Sequence, residues 1–429
     1  STPIPSLSGG TQQKVVIARA LASAADLVLL DDPTRGVDLG TKAELYRTFR
    51  SLADEGKGIV WYSTDDAEFV ECDRVVVMRE GRVVRSLEGD EISAERVIRA
   101  SFTPADGQGQ GHRDPRESRL LDQLRGLLPS LISVLTFVTV FGLSVWRNED
   151  IISYIGLTLV FSTAVPLAFA SVSQMFLITA GDIDLGLGSF MSLVNVIAAT
   201  WLVTDVTLAL PVFVCLLLAY PLLGLFVHVR RVPAIVVTLG MSFVWLGLAS
   251  YKLLSAGGAT PDWMYNAFNY ELPVIPLAVY LCALPGLTAF CILVLWRYGA
   301  VMRGLGNNPR AIEAAGWSAL RAHVALYAFA GLFAFLAGMM VTASTFGGDP
   351  IGSSSYTLIS VAAVILGGSH FFGGIVSPLG VIFGAMSLTL VGTLLALFNV
   401  GGEYVAMVQG LLLLGIVGLR TILVPQETA

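Results

Sequence analysis

Two short stretches near the start of the chain carry residue types that handle phosphate and metal. The first is Leu7-Ser8-Gly9-Gly10-Thr11-Gln12-Gln13-Lys14. A Gly pair lets backbone N–H groups approach an anion closely, and a following helix presents its positive end there. The apolar run Val15 to Leu21 supplies that helix. The second stretch is Leu27-Val28-Leu29-Leu30-Asp31-Asp32-Pro33-Thr34. A short apolar run ending in paired carboxylates reads as a buried parallel strand. An acid at its tip, Asp31, is placed to hold Mg²⁺ through water, and a second acid, Asp32, to orient an attacking water.

Such chemistry also needs a phosphate cradle of the pattern G-x-x-x-x-G-K-[ST]. The lysines are Lys14, Lys42, Lys57 and Lys252. Gly56-Lys57 is followed by Gly58, and Ser51 stands where the first Gly belongs. The pattern is therefore not in this sequence. A nucleotide must be cradled by another segment or subunit, to which this chain offers a complementary face. The sequence opens inside the Gly-pair motif with no initiator Met, so a longer parent polypeptide is expected.

The elements that position these residues come next along the chain. Gly58-Ile59-Val60-Trp61-Tyr62-Ser63 reads as a second strand, and residues 74–85 as a hairpin around Glu80-Gly81. Residues 102–118 are polar and rich in Gly, Gln and Pro, and read as a tether. Beyond them the composition changes. The whole chain is 55% hydrophobic but only 14% charged, with mean hydropathy +0.73. Soluble domains carry roughly 25% charge, so the deficit points to a membrane protein. About ten spans of roughly 20 apolar residues are expected. They fall near 127–146, 156–179, 186–204, 206–228, 234–254, 274–296, 321–346, 355–374, 378–398 and 402–420. Gly367-Gly368 and Gly373-Gly374 interrupt the run at 355–398, where a re-entrant pair is an alternative. The expected fold is thus an incomplete α/β unit followed by an all-α polytopic membrane unit. Its boundaries are 1–101, 102–120 for the linker, and 121–424.

The two opening stretches resemble the ABC ATPase family: an LSGG(x)Q signature, a Walker B strand, then Thr34-Arg35-Gly36-Val37-Asp38 as the D-loop. LSGGTQQK followed by DPTRGVD is similar to the ATPases of monosaccharide importers. The resemblance implies that Ser8, Gly9, Gly10 and Gln12 face the γ-phosphate of ATP held by a different nucleotide-binding half. It implies that Asp31 is the acid on the Mg²⁺ side, with Asp38 in the D-loop. Asp32 stands where the family usually has a catalytic Glu, one methylene longer. Thr64 stands where the family has its switch His, and Thr cannot share a proton with the γ-phosphate.

The membrane part resembles the permease family shared by ribose-type sugar and branched-chain amino acid importers. The matching stretches are residues 178–189 (ITAGDIDLGLGS), 232–240 (VPAIVVTLG), 306–316 (GNNPRAIEAAG) and 362–368 (AAVILGG). The first, with Gly181, Asp182, Asp184 and Gly188, is most similar to the sugar branch. In the third, Asn308 can cap a helix, Pro309 suits its first position and Gly316 can end it. A short helix over Pro309–Ala315, with Arg310 and Glu313, resembles the coupling helix that docks on the ATPase. An ordinary amphipathic loop helix would read the same way.

Asp182 and Asp184 sit at a span end, where ionisable residues suggest function. They can equally cap a helix and fix a loop. An intramembrane aspartyl protease needs facing carboxylates from two helices; here both acids share one loop. Gln174, Asn195, Thr238, Ser242, Trp245 and Gln409 lie within spans. Neutral hydrogen-bonding groups with an aromatic suit a monosaccharide or polyol, making Gln174, Asn195 and Trp245 candidates for a substrate path. Such groups also glue helices together. His112, His228, His323 and His370 are scattered without metal-ligand spacing and are assigned no chemistry. Cys72, Cys215, Cys282 and Cys291 form no CxxC pair and read as reduced, buried hydrophobes.

Basic residues set the orientation. Arg113, Arg116, Arg119 and Arg125 precede the first span; Arg230 and Arg231 follow the fourth; Arg297, Arg303, Arg310 and Arg321 lie between the sixth and seventh; Arg420 ends the last. An even count puts all of them, and both termini, in the cytoplasm of a bacterial plasma membrane. The expected activity is ATP-driven import of a small polar solute. Its partners are a second permease chain, a P-loop-bearing ATPase half, an extracytoplasmic solute-binding protein and membrane lipid; its cofactors are ATP and Mg²⁺. A non-hydrolysing ATPase remnant used as a docking platform, or an importer of branched-chain amino acids, are the alternatives. No basic stripe with interleaved aromatics supports nucleic acid binding.

Overall fold

The computed structural model describes residues 25–34, 39–63, 66–79, 82–93, 95–97, 100, 115–370 and 373–423. The chain divides into two compact units, residues 1–113 and 114–429. In the first, strands β1 (Leu27–Asp31) and β2 (Gly58–Tyr62) pair in parallel, with Leu27 opposite Gly58 and Asp31 opposite Tyr62. Helix α1 (Leu39–Asp54) makes the crossover between them. It ends in a turn at Gly56, whose φ of +93° suits glycine. Val28 and Leu30 of β1 bury against Leu45 and Phe49 of α1, and the Trp61 ring lies 5.3 Å from that of Phe49. The expectation of a fully buried β1 needs correcting. Its side chains alternate, and Leu29 is 71% exposed. A parallel strand is buried on both faces only when both are covered by helices. Among the described residues α1 covers one face.

Strands β3 (Arg74–Arg79) and β4 (Arg82–Glu88) form the antiparallel hairpin, with a register shift at Val77/Met78. Glu80 and Gly81, the expected turn, lie outside the described residues. Val75, Val77 and Leu87 make a small core with Val97 and Ala100. Cys72 packs at its edge. Burial pushes its thiol up, and the nearby Asp73 carboxylate adds to the effect.

The second unit is helical: α2 (Pro115–Arg147), α3 (Tyr154–Ala180), α4 (Leu187–Ala199), α5 (Val206–Arg230), α6 (Ala234–Lys252), α7 (Asp262–Phe268), α8 (Leu277–Phe290), α9 (Arg297–Asn307), α10 (Pro309–Ala314), α11 (Ala319–Thr345), α12 (Tyr356–Leu366), α13 (Pro378–Leu397) and α14 (Val405–Leu423). Among the described residues eight stretches are long and apolar enough to cross a bilayer. The expected ten therefore become eight plus two shorter apolar helices, Tyr356–Leu366 and Gly402–Gly418. The physical reason at 355–374 is local. α12 has 11 residues, or about 16 Å at 1.5 Å per residue, against a hydrocarbon core of about 30 Å. Gly368, Gly373 and Gly374 then take φ of +97°, +97° and +76°, which no α-helix holds. The freed backbone finds partners inside the protein: His370 N donates to Ile375 O and Gly374 N to Thr179 O. Irregular backbone survives at membrane depth only when buried this way. α4 is interrupted too. It breaks at Thr200 before a last turn, Trp201–Thr204.

α3 runs through the centre, and its segment from Ala164 to Thr179 is buried throughout. It packs along α11 through Phe169, Phe176, Phe329 and Phe333. α5 and α11 approach so closely that each glycine faces the other helix's tyrosine. A methyl on Gly224 would meet Tyr327 Cγ at 2.6 Å, and one on Gly331 would meet Tyr220 Cβ at 2.5 Å. Small residues at a helix crossing permit such contact, and here they fix where two tyrosine hydroxyls point. The outward faces of α5 and α6 carry exposed Leu208, Leu222, Val236 and Phe243, as a lipid-facing surface does.

Candidate functional site

In the α/β unit, Asp31 ends β1 beside Tyr62 of β2. The next residue leaves the strand. Asp32 takes a left-handed φ of +47°, a conformation aspartate tolerates, and its N–H donates to Tyr62 O at 2.8 Å. The chain then turns inward, so that Thr34 is buried and donates its hydroxyl to the Glu68 carboxylate. Glu68 is only 1% exposed and also accepts from Lys42 Nζ (3.1 Å) and Tyr46 OH (3.2 Å). Glu68 carries no signal in the sequence, because a single acid in a short helical turn shows no pattern. Ser8, Gly9, Gly10, Gln12, Asp38 and Thr64 lie outside the described residues.

In the membrane unit, α3 ends at Gly181 (φ +86°), with Gly181 N donating to Ile178 O and Asp182 N to Leu177 O. This glycine stop turns residues 182–186 back among the helices. Asp182 Oδ2 there meets two groups of α11, His323 Nε2 at 2.8 Å and Tyr327 OH at 2.9 Å. The other ring nitrogen, His323 Nδ1, lies 3.1 Å from Gly224 O of α5. A carbonyl can only accept, so Nδ1 carries a proton. Nε2 faces the Asp182 carboxylate, which also accepts from Tyr327 OH.

Asp184 is 2% exposed. Its Oδ2 accepts from Tyr220 OH at 2.6 Å and its Oδ1 from Gly186 N at 2.6 Å, just before α4 begins. Leu185 N donates to Thr238 Oγ1 of α6. Gln174, with its amide oriented to satisfy both bonds, accepts from Asp184 N at 3.0 Å and donates to Asp184 O at 3.3 Å. Replacing Tyr220 by Phe strands a buried carboxylate oxygen, a loss of about 1–3 kcal/mol. The expected outcome is a lower thermal midpoint in detergent for Tyr220→Phe and none for Tyr280→Phe, at a half-exposed position.

Gly188 N donates to Thr357 Oγ1 at the start of α12, and a methyl on Gly188 would lie 2.5 Å from Ser353 O. The starts of α4 and α12 therefore meet. The chain between α11 and α12 runs back along α4. Asn195 Nδ2 donates to Thr342 Oγ1 (2.9 Å) and Gly347 O (2.8 Å), its Oδ1 accepts from Asp349 N (2.7 Å), and Ser353 N donates to Ser192 Oγ. Trp245 packs edge-on against Phe190, which does the same to Tyr220. Gln174 and Asn195 thus spend their polar atoms on holding interrupted backbone.

Asn308 Oδ1 accepts from Ala311 N, Pro309 opens α10, and Gly316 (φ +83°) follows its end. α10 stops at Ala314, one residue before the expected end. Arg310 and Glu313 are exposed, while Ile312 turns inward onto Gly304 of α9. At the end of α9, Gly306 lies against Thr179 and Gly374, and Asn307 against Gly374. Among the described residues no group of three His, Cys, Asp or Glu side chains is placed to hold a metal.

The class this architecture defines is a multi-pass helical membrane protein, built around two interrupted helices whose loose backbone is tied down internally. Residues 156–417 match the model of the branched-chain amino acid transport system permease component, and the chain belongs to that family. Residues 1–35 match the ABC transporter model. The chain thus joins a segment of an ABC-transporter ATPase to a permease. A part of the chain is similar to ribose import ATP-binding proteins. It is 51% identical to RbsA 1 of Rhizobium johnstonii over 104 residues, 24% of this chain and 20% of that protein. It is 52% identical to RbsA 1 of Rhizobium etli over 101 residues (23% and 20%), and 50% identical to RbsA 1 of Mesorhizobium japonicum over 107 residues (25% and 21%). The chain spans about a fifth of the length of these relatives. No solved structure matches it.

Proposed function

We propose that this chain is the permease and part of the ATPase of an importer that uses ATP to carry a small polar solute, a monosaccharide or polyol, across a bacterial plasma membrane. The observation that carries the reading is the join itself: a segment similar to ribose import ATP-binding proteins on one chain with a permease. ATP binding follows from the ABC family. In the proposed site Ser8, Gly9, Gly10 and Gln12 donate to a γ-phosphate cradled by a P-loop from another ATPase half. Asp31, a hard oxygen donor at a strand tip, suits Mg²⁺ held through water; Asp38 stands at the D-loop position of the sequence. Asp32 and Thr64, in place of Glu and His, make this chain's own hydrolytic side slow. We assign residues 1–101 to the ATPase part, 102–120 to the linker and 121–424 to the permease.

Topology supports cytoplasmic ends. The His228 and His323 rings are 5.2 Å apart, which puts the end of α5 and the start of α11 at one level. Arg230, Arg231 and Arg321 share that level. Residue 374 returns to it by bonding Thr179 O, so α12 and the irregular stretch after it together complete a crossing. With that crossing and α14 each added to the eight longer spans, the number is even, which favours both ends on one side. α10, exposed and capped, lies at the same level and is the coupling helix. A second permease chain and an external solute-binding protein complete the path.

The test is uptake by cells that depend on this transporter. Labelled ribose is expected to enter and to be displaced by unlabelled pentoses and polyols but not by leucine. Uptake of labelled leucine, indifferent to ribose, would overturn the substrate class.

A further inference from the structure

α10 is flanked by two helices, and both rest on the same short segment. On one side, Gly306 of α9 abuts the Thr179 carbonyl, and Gly374 N donates to that carbonyl at 3.2 Å. On the other, His323 and Tyr327 of α11 hold Asp182 at 2.8 and 2.9 Å. Two residues on, Asp184 accepts from Gly186 N at the start of α4. We propose that the Asp182–His323–Tyr327 cluster is the positioning device that passes movement of α10 to the interrupted helix α4, so that nucleotide-driven displacement opens or closes the path.

This rests on the reading of α10 as the coupling helix. The physical ground is stiffness. α11 cannot tilt with α10 and leave Asp182 behind without breaking the two side-chain contacts that His323 and Tyr327 make to its partly buried carboxylate. Asp182 cannot move and leave α4 behind, because Asp184 grips both α4 and Tyr220 of α5. His323 touches neither solute nor nucleotide in this scheme. Its loss should therefore uncouple the two activities and leave neither machinery chemically altered.

The experiment uses the complete transporter, with its P-loop-bearing half, in proteoliposomes, and measures labelled ribose uptake and ATP hydrolysis on one preparation. His323→Ala is expected to lower uptake about tenfold or more, the scale of a site-to-site coupling energy, with hydrolysis changed less than about twofold. His323→Gln, whose amide N–H can still reach Asp182, should restore most of the uptake. Tyr327→Phe, which removes one hydroxyl and keeps the ring against Gly224, should shift the ratio in the same direction and serves if His323→Ala does not fold. Proportional loss of uptake and hydrolysis, or no loss of either, overturns the proposal. If the wild type takes up no ribose, the substrate reading has failed and the relay is read without solute. Nitroxide labels at Val203 and Leu254, on a background with the cysteines replaced, should show an ATP-dependent distance change that His323→Ala abolishes. A change that persists in His323→Ala, or none in the wild type, overturns the relay.

Discussion

Gly306→Ala is expected to destabilise the membrane unit by about 3 kcal/mol, the upper end of the usual range for overpacking. A methyl there would press on the Thr179 carbonyl oxygen and sit 2.5 Å from Gly374 N and 3.1 Å from Gly373 C. All three atoms are backbone, so no rotamer change relieves the clash. The segments involved cannot yield independently either. Gly374 N is bonded to Thr179 O, and Gly373 and Gly374 hold left-handed angles that fix the chain between α12 and α13. The control is Gly247→Ala in α6, where nothing lies within 4 Å of the added methyl. Alanine there should be neutral or stabilising, since it removes backbone entropy from the unfolded chain. Thermal midpoints of the two variants in one detergent decide the matter. Equal midpoints would mean that α9 does not rest on the 179–182 segment, and the relay would lose one of its two contacts.

Ser8→Arg is expected to lower ATP-driven uptake by about a hundredfold, the cost of removing a preorganised donor from developing phosphate charge. The long side chain would also occupy space the γ-phosphate needs. Nucleotide binding should survive, because the proposed cradle belongs to another half. This variant separates the active reading from the docking-platform alternative. A platform that hydrolyses nothing would keep full uptake with Ser8→Arg. Retained ATP binding with lost uptake is the outcome that the signature role requires.

Much of the scaffold was readable from the residues because its chemistry is local. Asn308, Pro309 and Gly316 announce a helix start and stop within a few positions, and α10 begins on that cap. Long apolar runs announce spans. What could not be read is what depends on distant partners. His323 and Tyr327 look like ordinary members of an apolar helix, and nothing in their neighbourhood names Asp182. Tyr220 acquires its role from Gly331, which lets α11 come close enough to set its hydroxyl on Asp184. The break at 355–374 was visible as glycines, but its form was not. Whether such a run kinks, re-enters or stops depends on which carbonyls elsewhere accept its N–H groups, and Thr179 is far away in sequence. Likewise β1 has the composition of a strand buried on both faces, while its exposure depends on what covers it.

The most direct measurement is solute accumulation in proteoliposomes that hold the complete transporter, with ATP sealed inside and the solute-binding protein and labelled ribose outside. The account predicts that ribose rises inside above its outside concentration with ATP, and that a non-hydrolysable analogue abolishes the rise. Equilibration to the outside concentration whether or not ATP is present would contradict it, and would leave this chain a passive path with an idle ATPase segment.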